Sequence, residues 1–177
     1  TKLRTFLPLG RFFGASEVFS GEGSFASLAS LSASKIFVIH TKSFVENQNN
    51  ISILKKTLKR NSYKLFVPPS GEPKLNKMQK AFEEIYSYKP DWIVAIGGGS
   101  TIDFAKLCWL FYEHPDLDED QISRNFSVPP LRGKCRFIAV PTTAGTGSEM
   151  RSSAVFQNDE NDRKKFVVTH DFLPDIA

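Results

Sequence analysis

Three consecutive glycines and a serine follow a short apolar run near the middle of the chain. The run Trp92–Ile96 leads into Gly97, Gly98, Gly99 and Ser100, and the residues after them have helical composition. Glycines lack a Cβ atom, so backbone N–H groups in such a turn can approach an anion closely. Ser100 is of a type that caps helices, and a helix N-terminus carries about half a positive charge. This order predicts a phosphate-binding site, with a tight packing turn as the alternative.

A second loop of small and hydroxylated residues follows another apolar run. Residues 141–149 are Pro-Thr-Thr-Ala-Gly-Thr-Gly-Ser-Glu, of which four carry a hydroxyl group. Such a loop offers close backbone approach and several hydrogen-bond donors, as a sugar or pyrophosphate requires. A solvated loop is the alternative, but two such loops favour a phosphate-bearing ligand, most simply a nucleotide. Neither loop matches the Gly-x-Gly-x-x-Gly fingerprint or the P-loop, so the spacing does not choose a reaction.

The elements that must position these loops alternate between apolar runs and helical patterns. Short β-branched runs predict buried strands at 36–40, 63–67, 92–96 and 136–140. Apolar residues at helical spacing predict helices at 46–60 and 74–88. We therefore expect an α/β fold, a Rossmann-like parallel sheet with flanking helices, in which both loops lie at the carboxyl edge.

The chain is expected to form one nucleotide-binding domain over residues 1–177. Its Phe- and Gly-rich start, residues 4–23, is expected to add an edge strand or hairpin, so that residues 1–34 form an appendage. The free edge of such a sheet invites pairing with a second copy, and a homodimer is possible.

Composition excludes several classes of protein. The 23 Lys and Arg residues against 19 Asp and Glu give a net charge of +4, and the basic clusters at 55–60 and 163–165 lack interleaved aromatic residues. Nucleic acid is therefore not an expected partner. No apolar run approaches the roughly 20 residues of a membrane span, so no membrane partner is expected. Two cysteines in apolar stretches fit a reducing compartment, and we expect a cytoplasmic location.

The paired loops resemble those of the iron-containing alcohol dehydrogenase family. The pattern Gly-Gly-Gly-Ser-x-x-Asp-x-x-Lys at 97–106, followed by the loop at 141–149, carries the resemblance, which extends over residues 35–177. The segment 109–115 is similar to the alcohol dehydrogenase half of bifunctional aldehyde–alcohol dehydrogenases. The resemblance implies the N-terminal domain of the dehydroquinate synthase-like fold. It also implies hydride transfer between NAD(P) and a small alcohol or aldehyde.

The resemblance also implies roles for individual residues. Gly98, Gly99, Ser100 and Asp103 would contact the pyrophosphate and the nicotinamide side, and Lys165 would reach a ribose hydroxyl. Thr142, Thr143 and Thr146 would line the nucleotide. The full set of cofactor-binding residues expected is Thr41, Gly97, Gly98, Gly99, Ser100, Asp103, Thr142, Thr143, Thr146, Ser148, Ser153 and Lys165. For Asp103 the alternative is an exposed carboxylate in the first turn of a helix, and for Lys165 a solvated charge beside Lys164.

Two departures from the family pattern concern the ribose and the metal. Members that select NAD often carry Asp after the first strand, where this chain has Thr41 with Lys42 beside it. The family holds Fe²⁺ or Zn²⁺ in a helical second domain that is missing from this chain, and its three histidines, His40, His114 and His170, have no ligand-like spacing. No metal ligand is therefore assigned. Two hypotheses follow: the cofactor-binding half of an NAD(P)-dependent alcohol dehydrogenase, or a nucleotide-binding module without catalytic activity.

Overall fold

A computed structural model describes residues 14–33, 35–124, 126–158, 161 and 163–177 of the chain. Its elements, in chain order, are β1 (Lys35–His40), α1 (Lys42–Glu46), α2 (Gln48–Thr57), β2 (Ser62–Phe66), α3 (Gln79–Tyr88), β3 (Trp92–Gly97), α4 (Gly99–Glu113), α5 (Glu119–Ile122), β4 (Arg136–Pro141), β5 (Ser153–Gln157) and β6 (Lys164–Val168). The described residues also form four short 3₁₀ turns, at Ser24–Ser30, Leu75–Lys77, Ser148–Met150 and His170–Phe172.

Four parallel strands form the main sheet, in the order β2-β1-β3-β4. The predicted α/β class with a parallel sheet is confirmed, and each predicted strand agrees with the observed one to within a residue. The central strand β1 is buried on both faces, since Ile36, Phe37, Val38 and Ile39 have no exposed surface. A continuous apolar run is typical of such a strand because helices cover both sides of the sheet.

The helices differ from the predictions at their ends. The helix predicted over 46–60 corresponds to α2, and the short helix α1 before it was not predicted. The two are separate because Asn47 has an extended backbone and its side chain accepts hydrogen bonds from the N–H groups of Asn49 and Asn50. This cap starts a new helix, which a periodicity argument does not detect. The helix predicted over 74–88 begins as a 3₁₀ turn and becomes α-helical at Gln79.

Helix α4 is the central helix of the domain. All residues from Thr101 to Glu113 are buried, and they pack on β3, β4 and the hairpin that β5 and β6 form. This antiparallel hairpin was not predicted, since Ser153–Gln157 and Lys164–Val168 carry no strong alternation of apolar and polar residues. No helix in the described part of the chain is both long and apolar enough to cross a bilayer.

The β4 edge of the sheet is covered by the two ends of the described chain. Ile176 forms single parallel bridges with Ile138 of β4 and with Glu17, and four backbone hydrogen bonds join residues 16–19 to residues 174–177. The described part of the predicted appendage thus lies at a sheet edge as an isolated bridge and a 3₁₀ turn, without a regular strand. Residues 4–13 of the predicted edge strand or hairpin lie outside the described residues.

Replacement of Phe37 in β1 tests the contribution of the core. Phe37 is fully buried and its ring stacks on Phe66 with centroids 5.9 Å apart. We expect Phe37→Ala to lower the free energy of unfolding by about 3–5 kcal/mol, because it removes apolar contacts and leaves a cavity. Urea denaturation followed by circular dichroism measures the change. Ile53→Ala, at a position on α2 that is 42% exposed, is the matched control and should cost less than about 1 kcal/mol.

Candidate functional site

The strand order places a crevice between β1 and β3. The chain passes from β1 outward to β2 and then crosses to β3 on the other side, so the helices that follow β1 and β3 lie on opposite faces. In open parallel sheets, ligands bind beyond the carboxyl ends of the strands at such a point. Thr41 follows β1 there, and the glycine turn follows β3.

The glycine turn opens directly into α4. Gly98 is the N-cap residue with an extended backbone, and the helix begins at Gly99. The prediction that Ser100 caps this helix is wrong, since Ser100 lies inside the first turn and no side chain caps the N-terminus. An uncapped N-terminus leaves the first N–H groups of α4 without helical partners, which favours an anion at this position.

The second loop packs directly against this turn, as its position after the neighbouring strand β4 requires. The N–H of Thr142 donates to the carbonyl of Gly97 at 3.0 Å. A Cβ atom added to Gly98 would lie 3.0 Å from Thr143 Oγ1, and one added to Gly99 would lie 3.2 Å from Ser148 Oγ. Both distances are shorter than comfortable carbon–oxygen contacts, so a side chain at either position would require the second loop to shift.

Lys106 holds the second loop in place. Its side chain is fully buried, and Nζ donates to the carbonyl oxygens of Ser148, Arg151 and Ser153 at 2.8, 2.6 and 3.1 Å. Burial lowers the pKa of Lys106 to about 8, while the nearby Asp103 carboxylate opposes this shift. The sequence pattern includes this lysine but predicts no role for it. Its position one helical turn after Asp103 is the signal that could have indicated one.

Asp103 is buried beneath the cleft rather than exposed in the first turn, so the exposed-carboxylate alternative is wrong. Its Oδ2 accepts a hydrogen bond from the N–H of Val155 at 3.1 Å, and burial raises its pKa. Among the described residues, the buried atoms Asp103 Oδ1 and Thr146 Oγ1 have no hydrogen-bond partner. Unpaired buried polar atoms are uncommon, so these two oxygens mark positions that a ligand or an ordered water can complete.

Two clefts meet over Ser100. One, of about 340 Å³, lies between Thr41 and the loop 67–71, and the other, of about 400 Å³, is bordered by Asp103, Thr146 and β6. Gly99 borders the second cleft. An elongated ligand can therefore lie across the N-terminus of α4 with one end in each cleft, which suits the two halves of a dinucleotide.

Thr41 borders the first cleft. Its Oγ1 accepts a hydrogen bond from Ser43 Oγ at 3.3 Å. The neighbouring Lys42 is exposed and lies 3.7 Å from Glu46 one helical turn later. An exposed pair of this kind contributes little stability, so the Lys42 side chain can be drawn to another anion.

Lys165 is not brought to the cleft. Its Nζ pairs with Glu119 Oε1 at 2.6 Å, on the side of the hairpin that faces α5. Lys164 and Phe166 line the cleft instead, because alternate residues of a strand point to opposite faces. Lys164 itself pairs with Glu72 at 2.8 Å. The sequence alone does not determine which of the two neighbouring lysines faces the cleft, because a shift of one residue along a strand reverses the faces.

Two further predicted residues, Ser148 and Ser153, line neither cleft. Ser148 is fully buried and its Oγ accepts a hydrogen bond from Arg151 Nη2 at 2.8 Å. Ser153 begins β5 and contributes its carbonyl to Lys106. Among the residues that the structure describes, no group of three or more His, Cys, Asp or Glu side chains could hold a metal ion.

Together, the parallel sheet and the glycine-lined helix N-terminus at its carboxyl edge define an α/β domain of the Rossmann-like class. The model of one family, described as iron-containing alcohol dehydrogenase, matches residues 15–177. This chain belongs to the iron-containing alcohol dehydrogenase family.

Individual relatives agree with this assignment. The NADPH-dependent butanol dehydrogenase of Clostridium saccharobutylicum is 32% identical over 169 residues, which cover 94% of this chain and 44% of that protein. The structure of the iron-containing alcohol dehydrogenase from Thermococcus thioreducens is similar with a TM-score of 0.83 and 28% identity, over 94% of this chain and 46% of that one. The chain thus spans less than half the length of these relatives.

A further solved structure shares the fold. It is a sulfoacetaldehyde reductase from Bifidobacterium kashiwanohense in complex with NAD⁺, with a TM-score of 0.80, 22% identity and coverage of 94% of this chain and 45% of that one.

The buried ammonium of Lys106 predicts a pH dependence of stability. Its pKa is about 8 in the folded chain against the ordinary 10.5. Between these pH values the unfolded chain retains a proton that the folded chain has released, so this residue's contribution to stability rises with pH. We expect the difference in unfolding free energy between the native chain and Lys106→Met to increase from pH 8 to 10.5, as measured by urea denaturation. The prediction would be contradicted if the difference in unfolding free energy between the two proteins stayed constant with pH. Lys80→Met, on the exposed side of α3, is the control for the loss of a lysine.

Proposed function

We propose that this chain is the cofactor-binding half of an NAD(P)-dependent alcohol dehydrogenase, which transfers a hydride between the nicotinamide and a small alcohol or aldehyde. The observation that carries the proposal is the close contact of the glycine turn before α4 with the hydroxylated loop after β4. Membership of the iron-containing alcohol dehydrogenase family supports it, as does similarity to a protein named NADPH-dependent butanol dehydrogenase.

Binding and orientation are the tasks proposed for this chain's own residues. The first N–H groups of α4 bind the pyrophosphate, where the helix dipole favours negative charge. Thr142, Thr143 and Thr146 provide hydroxyl groups along the nucleotide, and the Asp103 carboxyl group is available from beneath the second cleft. A bound nicotinamide would supply the redox chemistry, and these residues would hold the cofactor in place.

The metal and the other wall of the substrate pocket are proposed to come from outside these 177 residues. Fe²⁺ or Zn²⁺ would act there as a Lewis acid on the substrate oxygen. The rival hypothesis is a nucleotide-binding module without catalytic activity. The two are separated by assaying the chain with NAD(P)H and short aldehydes, with and without added Fe²⁺ or Zn²⁺. Turnover would exclude the rival, whereas dinucleotide binding without turnover leaves the domain as a binding unit.

A cytoplasmic location and a homodimer are also proposed. Cys108 and Cys135 are buried free thiols, which suit a reducing compartment. The outer edge of β2 pairs with no further strand among the described residues. Leu65 in this strand and Val67 just after it are both exposed. Such an edge can pair with a second copy.

Gly98→Ala tests the proposed cofactor site. The added methyl group would lie against Thr143 Oγ1 and reduce the space for a phosphate beside the first N–H groups of α4. We expect NADH binding, measured by fluorescence titration, to weaken at least about tenfold.

A double substitution separates the loss of ligand space from the contact between the loops. Thr143→Ala removes the contact within the protein, so Gly98→Ala is compared in that background with Thr143→Ala alone. The double variant Gly98→Ala/Thr143→Ala should still bind NADH more weakly than Thr143→Ala alone. Equal affinities of the two folded proteins for NADH would contradict the phosphate assignment.

Thr41 predicts weak discrimination between NADH and NADPH. A threonine offers the ribose at most one neutral hydrogen bond, about 1 kcal/mol, and no charge that repels a 2′-phosphate. Lys42 favours that phosphate slightly because it is exposed. Competition titration should give a preference for NADPH within about tenfold. Thr41→Asp should shift the preference towards NADH, and Ser52→Asp on α2 is the control. A preference of the native chain for NADH above about a hundredfold would contradict the placement of Thr41 at the ribose.

A further inference from the structure

Arg151 is a charged residue of the second cleft to which the family pattern assigns no role. It is exposed and borders the cleft together with Gly99 and Ser100. Its Nη2 donates to Ser148 Oγ at 2.8 Å, and no other hydrogen bond of its guanidinium group is found within the described ranges. A guanidinium group has five N–H donors, so most of them remain available to a ligand.

Ser148 fixes the position of Arg151 beside the glycine turn. The same Ser148 Oγ that accepts from Arg151 would lie 3.2 Å from a Cβ atom on Gly99. Ser148 is fully buried and its carbonyl is held by Lys106 at 2.8 Å, so this hydroxyl group has little freedom to move. The guanidinium group therefore lies next to the first turn of α4.

The other cations around the cleft, Lys164 and Lys106, are already engaged. Lys164 pairs with Glu72 at 2.8 Å, and Lys106 is saturated by three carbonyl groups below the loop. Arg151 is the cleft-lining cation for which the described residues provide no carboxylate within ion-pair distance. Its charge also acts on Lys106 and disfavours the protonated ammonium there. An anion in the cleft would relieve this repulsion.

We propose that Arg151 is a phosphate-binding residue, whose guanidinium group donates hydrogen bonds to the pyrophosphate of a dinucleotide bound at the N-terminus of α4. The inference rests on the proposed function and adds a side-chain ligand to a site otherwise made of backbone N–H and hydroxyl groups. A guanidinium fork can contact two phosphate oxygens at once, which a lysine cannot do. The negative charge of the pyrophosphate is then balanced by the N-terminus of α4 and by the guanidinium group of Arg151.

The test compares the 177-residue chain with Arg151→Gln by titration with NADH and with ADP-ribose, which shares the pyrophosphate but lacks nicotinamide. We expect both ligands to bind about tenfold more weakly to the variant, since a hydrogen bond to a charged group is lost. The affinity of the native chain should also fall more steeply with added NaCl than that of the variant, because salt screens the guanidinium–phosphate attraction. Arg60→Gln, which removes an exposed arginine after α2, is the matched control and should bind like the native chain.

Each outcome decides between named alternatives. Equal affinities of the native chain and a folded Arg151→Gln for both ligands would overturn the role of Arg151 while leaving the proposed function intact. Failure of the native chain to bind NADH, NADPH or ADP-ribose would overturn the proposed function and this inference with it. If circular dichroism shows that Arg151→Gln is unfolded, Arg151→Thr is titrated with NADH and ADP-ribose in its place. Weaker binding then supports the role of Arg151, and equal affinity overturns it.

Discussion

The buried ammonium group of Lys106 is the interaction on which the site depends. It extends from the most enclosed helix of the domain and binds three carbonyl groups of a segment that has no regular strand until Ser153. Without this donor, three carbonyl oxygens near the core would lack a strong partner, at a cost of roughly 1–3 kcal/mol each. One side chain thus sets the distance between the loop after β4 and the N-terminus of α4.

The consequence is a site formed before any ligand arrives. Helix α4 is buried along nearly its whole length, and the neighbouring strand β4 delivers Thr142 to Gly97 through a single hydrogen bond. Neither element can shift without disturbing the core, which is packed at high density. Ordering of these two loops therefore adds little to the entropic cost of binding.

The fold could be predicted from the sequence because its signals are local. Continuous apolar runs gave the strands, and the glycine turn gave the junction of β3 and α4. The start of α4 was misplaced by a local shift, since Ser100 cannot cap a helix that begins before it. Features that depend on distant residues were missed, because the packing of β6 decides whether Lys164 or Lys165 lines the cleft. The role of Lys106 requires knowing that β5 packs on α4, a contact between residues about 47 positions apart.

The bridge between residues 16–19 and 174–177 has a mechanical consequence. The two segments run parallel, so the start of one and the end of the other lie at opposite ends of their shared row of four hydrogen bonds. A force that pulls residue 14 and Ala177 apart loads all four bonds together, in shear, rather than breaking them one after another. The domain should therefore resist extension from its two ends more strongly than the small number of bonds at this edge would suggest.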